Sequence, residues 1–165
     1  MLARIRKALD KREGGFTLIE LLVVMIIIGI LAAIAIPVFL TQRAKAQDSA
    51  AKADVSFLGK ETATYYVGGV GSTTNGAMAI TNSGGRYVLN VSAVGAGATT
   101  PAVTAIANQD LGKASADNVL GAQFFTDSTA WCVTVTNPKG DKAVAGYKYS
   151  AAGGLAEGAC ASSAG

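Results

Sequence analysis

The side chains of this chain that could take part in chemistry are few. Its 165 residues include no histidine, which removes the commonest general base and metal ligand. Two cysteines, Cys132 and Cys160, cannot build a zinc site without histidine or further thiols. No serine, cysteine or lysine stands in a recognisable catalytic constellation. The sequence therefore predicts no catalytic residue, no metal and no cofactor, in a protein that is not an enzyme.

Glu20 stands out because it is a carboxylate in an otherwise apolar segment. Residues 16–40 are apolar except for Thr17, Glu20 and Pro37. A charge at the centre of a membrane helix costs about 2.5–3.5 kcal/mol on insertion scales, and less near the interface. Two interpretations remain open from the residues alone. Glu20 is either an interfacial acid tolerated by the positive end of the helix dipole, or a charge that pairs with a partner.

The segment that carries Glu20 is long enough to cross a membrane. Residues 21–36 contain no polar side chain. As a helix, residues 16–40 span about 37 Å, more than the roughly 30 Å of a bilayer's hydrocarbon core. Basic residues precede this segment, which predicts that its N-terminal end stays cytoplasmic and that the following residues are exported.

The net positive charge of the chain lies entirely before this segment. Residues 1–15 carry five basic and two acidic side chains, which equals the net charge of +3 of the whole chain. Residues 16–165 hold nine side chains of each sign. A balanced chain of this kind has no electrostatic footprint for DNA.

The helix is expected to continue beyond residue 40. Over residues 41–67 one apolar face recurs at spacings of four and three: Ala51, Val55, Leu58, Thr62 and Tyr65. Polar positions are expected on the other faces: Gln42, Lys45, Asp48, Lys52 and Lys60. Pro37 is expected to kink this helix, and Gly68-Gly69 to end it.

The remaining residues, 68–165, are expected to form a glycine-rich β domain. Strands are predicted at 86–91, 131–136 and 144–150, from β-branched and aromatic residues in partial alternation. A turn at 137–141 joins the last two as a hairpin. Residues 68–82 are predicted to be a loop with a turn at Asn75-Gly76, and 92–118 show no clear pattern.

The run Gly15-Phe16-Thr17-Leu18-Ile19-Glu20 resembles the prepilin cleavage and methylation motif of type IV pilins and related pseudopilins. The resemblance implies that a dedicated membrane peptidase cuts after Gly15 and N-methylates Phe16. Glycine at the cut would let the backbone enter an extended protease site. It also implies that Glu20 pairs with the amine of Phe16 on a neighbouring subunit. Gly29 and Pro37 match positions at which pilin helices commonly loosen in the filament.

The resemblance also implies a fold and a set of partners. The fold is α+β, a long N-terminal helix packed on a small C-terminal antiparallel β-sheet domain. It divides into a leader (1–15), a membrane and filament-core helix (16–40), its amphipathic continuation (41–67) and a globular head (68–165). The expected partners are other copies of the chain, a prepilin peptidase and N-methyltransferase, an assembly platform with its motor, and the cytoplasmic membrane. DNA or a host surface would be further partners.

Cys132 and Cys160 would lie in the exported part of the chain. An oxidising compartment favours a disulfide between them, and two buried free thiols are the alternative. In many type IV pilins, paired C-terminal cysteines delimit a surface loop. The resemblance implies that Cys132 and Cys160 delimit such a loop here.

Three other functions are compatible with parts of the sequence. A pseudopilin of a type II secretion or competence system would share the N-terminal motif, although the size and the cysteine pair favour a major pilin. A single-pass membrane-anchored binding protein would keep its N-terminus intact. An ordinary secretory signal would be cut near Ala33-Ile34-Ala35, but the long apolar run and Glu20 oppose it.

Overall fold

The structure, a computed structural model, describes residues 15–67, 76–94 and 103–162. Its elements in chain order are α1 (Leu18–Val67), β1 (Gly76–Ser83), β2 (Arg86–Val94), β3 (Val103–Lys113), β4 (Val119–Asp127), β5 (Ala130–Thr136), β6 (Tyr147–Ser150) and β7 (Gly154–Glu157). The chain divides between Thr41 and Gln42 into two units. The first holds the apolar half of α1, and the second holds its amphipathic half and the strands. The predicted leader up to Gly14 and the predicted stop at Gly68-Gly69 lie outside the described residues.

The apolar half of α1 exposes its large side chains. Phe16 is 84% exposed, and from Leu18 to Leu40 every large apolar side chain remains about half exposed or more. By length and composition α1 could cross a membrane, and none of its most apolar window is buried. The helix continues through Pro37 without interruption. No described residue of this unit covers the apolar surface, which favours its burial in a bilayer or against other chains.

The amphipathic half of α1 packs against the sheets through the predicted face. Ala51, Val55, Leu58 and Thr62 are buried, which confirms four of the five predicted positions. At the fifth, Tyr65 is half-buried and the neighbouring Tyr66 is buried instead. Full burial of a side chain such as Leu58 contributes about 1.5–3 kcal/mol.

β1, β2 and β3 form one antiparallel sheet with β2 in the centre. The predicted loop over 68–82 is wrong where the structure describes it, because Gly76–Ser83 pairs with β2 along its whole length. The turn lies instead at Gly84-Gly85, whose φ values of 59° and 75° suit a tight hairpin that glycine adopts without strain. β3 pairs with β2 with two irregularities in register.

β4 to β7 form a second antiparallel sheet in sequence order. The predicted strand at 131–136 and its antiparallel pairing with the following strand are confirmed. The strand predicted at 144–150 is shorter than expected, since only Tyr147–Ser150 is extended. β4 and β7 were not predicted, because each depends on pairing with a stronger neighbour rather than on its own pattern.

β5 is buried on both faces. Val133 pairs with Tyr149, whose ring lies against the backbone of Gly59 in α1, so this face points toward the helix. On the other face Thr134 is fully buried, and its hydroxyl accepts a hydrogen bond from the N–H of Cys160 at 2.8 Å. The chain segment around Cys160 therefore covers the outer face of β5.

The side chain of Gln123 joins the two sheets. Gln123 of β4 accepts a hydrogen bond from the N–H of Ile80 at 2.9 Å and donates one to the carbonyl of Ile80 at 2.8 Å. Its amide thus satisfies backbone groups on the outer edge of β1, as a neighbouring strand would. The α+β architecture expected from the sequence is confirmed, with two antiparallel sheets.

Candidate functional site

Thr17 and Glu20 form a capping box at the start of α1. Glu20 Oε2 accepts hydrogen bonds from the N–H of Thr17 at 2.9 Å and from its hydroxyl at 2.7 Å. The N–H of Glu20 donates to Thr17 Oγ1 at 3.3 Å. This reciprocal arrangement satisfies backbone donors that have no partner in the first helical turn. The spacing Thr17-x-x-Glu20 is a local signal from which this capping box is predictable.

The capping box leaves part of the Glu20 carboxylate free. Its hydrogen bonds to Thr17 both use Oε2, and no described residue bonds Oε1. Gly15, with open space around its Cα, and the exposed Phe16 precede this carboxylate directly. The residues predicted to serve in cleavage, methylation and assembly therefore lie in one exposed segment at the start of α1.

Gly29 and Pro37 lie inside the apolar half of α1. An added Cβ at Gly29 would meet open space, so glycine is not required there by packing within the subunit. Their predicted loosening concerns an assembled filament and stays a prediction.

Asp48 was predicted on an exposed polar face, and this prediction is wrong because the residue is buried at 7% exposure. Asp48 Oδ1 accepts hydrogen bonds from the N–H groups of Asp141 and Ala143, both at 2.9 Å, and Oδ2 accepts one from Lys142 at 3.2 Å. Helical periodicity alone predicts that a polar residue such as Asp48 lies on the solvent-exposed face. Here the β5–β6 connection brings unpaired backbone N–H groups to α1, and they stabilise a buried carboxylate. Asp48 thereby ties the β5–β6 connection to α1.

These donors make the stability of the second unit dependent on pH. Burial alone raises the pKa of Asp48, but the N–H groups of Ala143, Lys142 and Asp141, together with the charge of Lys52, hold it below its ordinary value. Because the folded pKa is lowered, the stabilisation is complete above the unfolded pKa and is lost as pH falls through the folded one.

We expect the free energy of unfolding to fall between neutral pH and about pH 3 more steeply in the wild type than in Asp48→Asn. Urea unfolding of the full chain in detergent, followed by the fluorescence of the single tryptophan Trp131, measures both slopes. Trp131 is buried at 2% exposure and so reports on the second unit. Equal slopes in the two proteins would contradict the attribution of this pH dependence to Asp48.

Asp54 is the second buried carboxylate on α1. Its Oδ2 accepts hydrogen bonds from Tyr87 Oη at 2.8 Å, the N–H of Ser115 at 2.9 Å and Asn118 Nδ2 at 2.8 Å. Its Oδ1 accepts one from Ser115 Oγ at 2.7 Å. Burial, then the hydrogen bond and charge of Asp54, raise the pKa of Tyr87.

Asn137 extends this network toward the β5–β6 connection. Its Nδ2 donates to Asn118 Oδ1 at 2.7 Å and to Gln47 Oε1 at 2.9 Å. Asp54 and Gln47, both on α1, are therefore linked through the loops that follow β3 and β5. No local pattern in the sequence indicates these partners, since Asn118 lies 64 positions from Asp54 and Asn137 lies 90 positions from Gln47.

Cys132 and Cys160 form a disulfide with a sequence separation of 28. It fixes the C-terminal segment over the outer face of β5. In the chain-entropy account, closing such a loop stabilises the fold by about 3–4 kcal/mol.

We expect reduction of this disulfide in the wild type to lower the free energy of unfolding by about 3–4 kcal/mol. The double replacement Cys132→Ala and Cys160→Ala serves as the matched control, because reductant has no disulfide to break there. Urea unfolding with and without reductant measures the difference. An unchanged midpoint for the reduced wild type would overturn the expectation.

Asn90 belongs to a sequence pattern, Asn90-Val91-Ser92, that fits a glycosylation sequon. The structure places it on β2, the central strand, where its Nδ2 donates to Thr81 Oγ1 at 2.8 Å and to the carbonyl of Val88 at 3.3 Å. Modification of that nitrogen would disturb these hydrogen bonds, so the folded domain disfavours a glycan at Asn90.

No group of three or more histidine, cysteine, aspartate or glutamate side chains within residues 15–67, 76–94 and 103–162 is arranged to hold a metal ion.

Comparison with known proteins finds one family match near the N-terminus and several curated relatives. Residues 10–36 match the family described as the prokaryotic N-terminal methylation motif. The type IV major pilin protein PilA of Myxococcus xanthus (strain DK1622) is 55% identical over 49 residues, which are 30% of this chain and 22% of that protein. A fimbrial protein of Pseudomonas aeruginosa is 54% identical over 48 residues, 29% of this chain and 31% of the relative.

The fimbrial protein EcpB of Eikenella corrodens is 61% identical over 36 residues, 22% of this chain and 23% of that protein. The chain thus spans about a fifth to a third of the length of these relatives. No solved structure matches.

Proposed function

We propose that this chain, a type IV pilin precursor by its methylation motif and its fimbrial relatives, is the major structural subunit of a type IV pilus. The observation that carries the proposal is the exposed segment Gly15–Glu20 at the start of a helix whose apolar half is exposed. A long helix, antiparallel sheets and a disulfide match the α+β fold of such subunits.

The four segments of the chain take separate tasks in this proposal. Residues 1–15 are a leader that a prepilin peptidase removes, after which Phe16 is N-methylated. Residues 16–40 anchor the subunit in the cytoplasmic membrane and later form the filament core. Residues 41–67 hold the head, residues 68–165, on the outside of the filament.

Glu20 would act as the register residue during assembly. Cleavage after Gly15 removes the positive charge of the leader and creates an amine at Phe16. Glu20 Oε2 already caps its own helix, and Oε1 remains to accept a hydrogen bond from the Phe16 amine of the neighbouring subunit. An ion pair in an apolar bundle fixes register, because a shifted subunit would leave a buried charge without a partner.

The exposed apolar surface determines how assembly must proceed. Each large apolar side chain of residues 16–40 that leaves the bilayer for water costs about 1.5–3 kcal/mol. Summed over the segment, this makes a free extracted subunit untenable. Extraction must therefore be coupled to packing against other copies, which requires an assembly platform and a motor.

The subunit pool would reside in the cytoplasmic membrane with its N-terminus inside, and the assembled pilus at the cell surface. The heads would make the outer contacts of the filament. These contacts would serve adhesion, twitching motility or DNA uptake.

Electron microscopy of material sheared from cells that express the chain tests the proposal. We expect thin filaments whose main protein is this chain, and their loss when its gene is deleted. Cells that secrete normally but carry no such filaments would instead indicate a pseudopilin. A monomeric chain in the membrane without filaments would indicate an anchored binding protein.

A further inference from the structure

An open cleft of about 400 Å³ lies in the second unit, and none of the residues proposed for assembly lines it. It is formed by the β1–β2 turn on one side and by the loop after β3 on the other. Among its lining residues are Gly84, Gly85, Arg86, Lys113 and Asp117. Its volume falls in the range of small-ligand sites. None of the roles proposed for the filament uses it.

Both walls of the cleft are fixed by hydrogen bonds. The N–H of Ala114 donates to the carbonyl of Gly85 at 2.9 Å, which ties the loop to the turn. Behind the loop, Ser115 and Asn118 are bonded to the buried Asp54. A cleft held in this way needs little ordering when a ligand binds, which favours affinity.

The charged groups of the cleft leave one cation uncompensated. Arg86 Nε donates to Asp110 Oδ2 at 2.7 Å, and Lys139 Nζ donates to Asp117 Oδ1 at 2.8 Å. Lys113 is exposed and forms no ion pair with any described residue. The site therefore carries an excess of one positive charge.

The remaining donors and acceptors suit a polar ligand. Arg86 uses Nε for Asp110, so its two terminal nitrogens remain as donors in a planar fork that fits a carboxylate. Asp117 Oδ2 and the side-chain amide of Asn82 remain for hydroxyl groups. Glycine and alanine make up most of the rest of the lining, so no large apolar surface is offered.

We propose that this cleft binds a carboxylate group of an acidic saccharide, with Lys113 and Arg86 on the carboxylate and Asp117 and Asn82 on the hydroxyls. A carboxylate brings one negative charge, which matches the single excess cation. A phosphate monoester brings nearly two negative charges and would be left partly uncompensated. The inference concerns the head alone and does not depend on filament assembly.

Calorimetric titration of the full-length chain in detergent with galacturonate, which carries a single carboxylate, tests the proposal. We expect saturable binding, and about tenfold weaker binding for Lys113→Gln, because a charge-assisted hydrogen bond is lost. Lys60→Gln is the matched control, since Lys60 is an exposed lysine on α1 outside the cleft and its loss changes the net charge equally. The control should bind as the wild type does.

Two further ligands test how much of the affinity comes from the carboxylate charge and whether a carboxylate is preferred to a phosphate. The methyl ester of galacturonate has the same sugar without charge and should bind at least about tenfold more weakly. Glycerol phosphate should bind more weakly than galacturonate. The proposal is overturned by no binding at millimolar galacturonate, by equal losses in Lys113→Gln and Lys60→Gln, by undiminished binding of the ester, or by tighter binding of the phosphate.

Discussion

A Glu20→Gln chain is expected to form no filaments while its leader is still removed. Glutamine keeps an oxygen that can accept the hydrogen bonds from Thr17, so the helix cap survives. It loses the negative charge that would pair with the amine of Phe16 in the next subunit. Leaving that amine unpaired in an apolar core costs several kcal/mol at every subunit, which is enough to prevent a polymer. Electron microscopy gives the filament yield, and the mass of the membrane-bound chain reports cleavage.

Thr17→Ala is the matched control for this result. It removes the hydroxyl that takes part in the capping box and leaves the Glu20 carboxylate in place. Loss of the cap costs about 1 kcal/mol, so filaments should still form. Normal filaments from Glu20→Gln, or an equal loss in Thr17→Ala, would mean that Glu20 serves only its own helix.

The second large effect is expected from Asp54→Ala, which should lower the free energy of unfolding of the second unit by about 3–5 kcal/mol. The replacement leaves Tyr87, Ser115 and Asn118 facing a buried site without their acceptor. Each unsatisfied buried donor costs about 1–3 kcal/mol, although a water molecule entering the space offsets part of the loss. Urea unfolding followed by Trp131 fluorescence gives the value.

Asp141→Ala is the control for this measurement. Asp141 is an exposed carboxylate, and its bond to Asp48 uses the backbone N–H, which the replacement retains. Its removal should change the free energy of unfolding by less than about 0.5 kcal/mol. A loss below about 1 kcal/mol in Asp54→Ala would show that the network adds little net stability.

Helix α1 could be predicted because the sequence signals that indicate it are local. A continuous apolar run and a repeat of four and three residues depend only on neighbours along one helix. The buried face of α1 accordingly follows Ala51, Val55, Leu58 and Thr62. The period drifts slightly by the last turn, where Tyr66 takes the buried position expected for Tyr65.

The β domain could be predicted only in part because its strands depend on pairing. β1 contains glycine, asparagine and serine and has little strand propensity of its own, yet it pairs with β2 along its full length. The Gly84-Gly85 pair was the available signal for that hairpin. β4 contains Gly121, where an added Cβ would lie 3.0 Å from Thr134 Cγ2. Gly121 is therefore explained by the close approach of β4 to Thr134 of β5, which cannot be read from the sequence.

The buried carboxylates were beyond prediction for a different reason. A polar residue within an amphipathic helix is normally predicted to lie on the solvent-exposed face, as is Asp48 here. Its true position follows from donors in a loop more than ninety residues later in the chain. Only the folded structure shows that these donors and the carboxylate satisfy one another.

The mass and N-terminal sequence of the chain isolated from sheared surface filaments test the central claim most directly. The proposal predicts a chain that begins at Phe16, with a methyl group on its amine. A chain that retains Met1, or one that begins at Ile36, would contradict it.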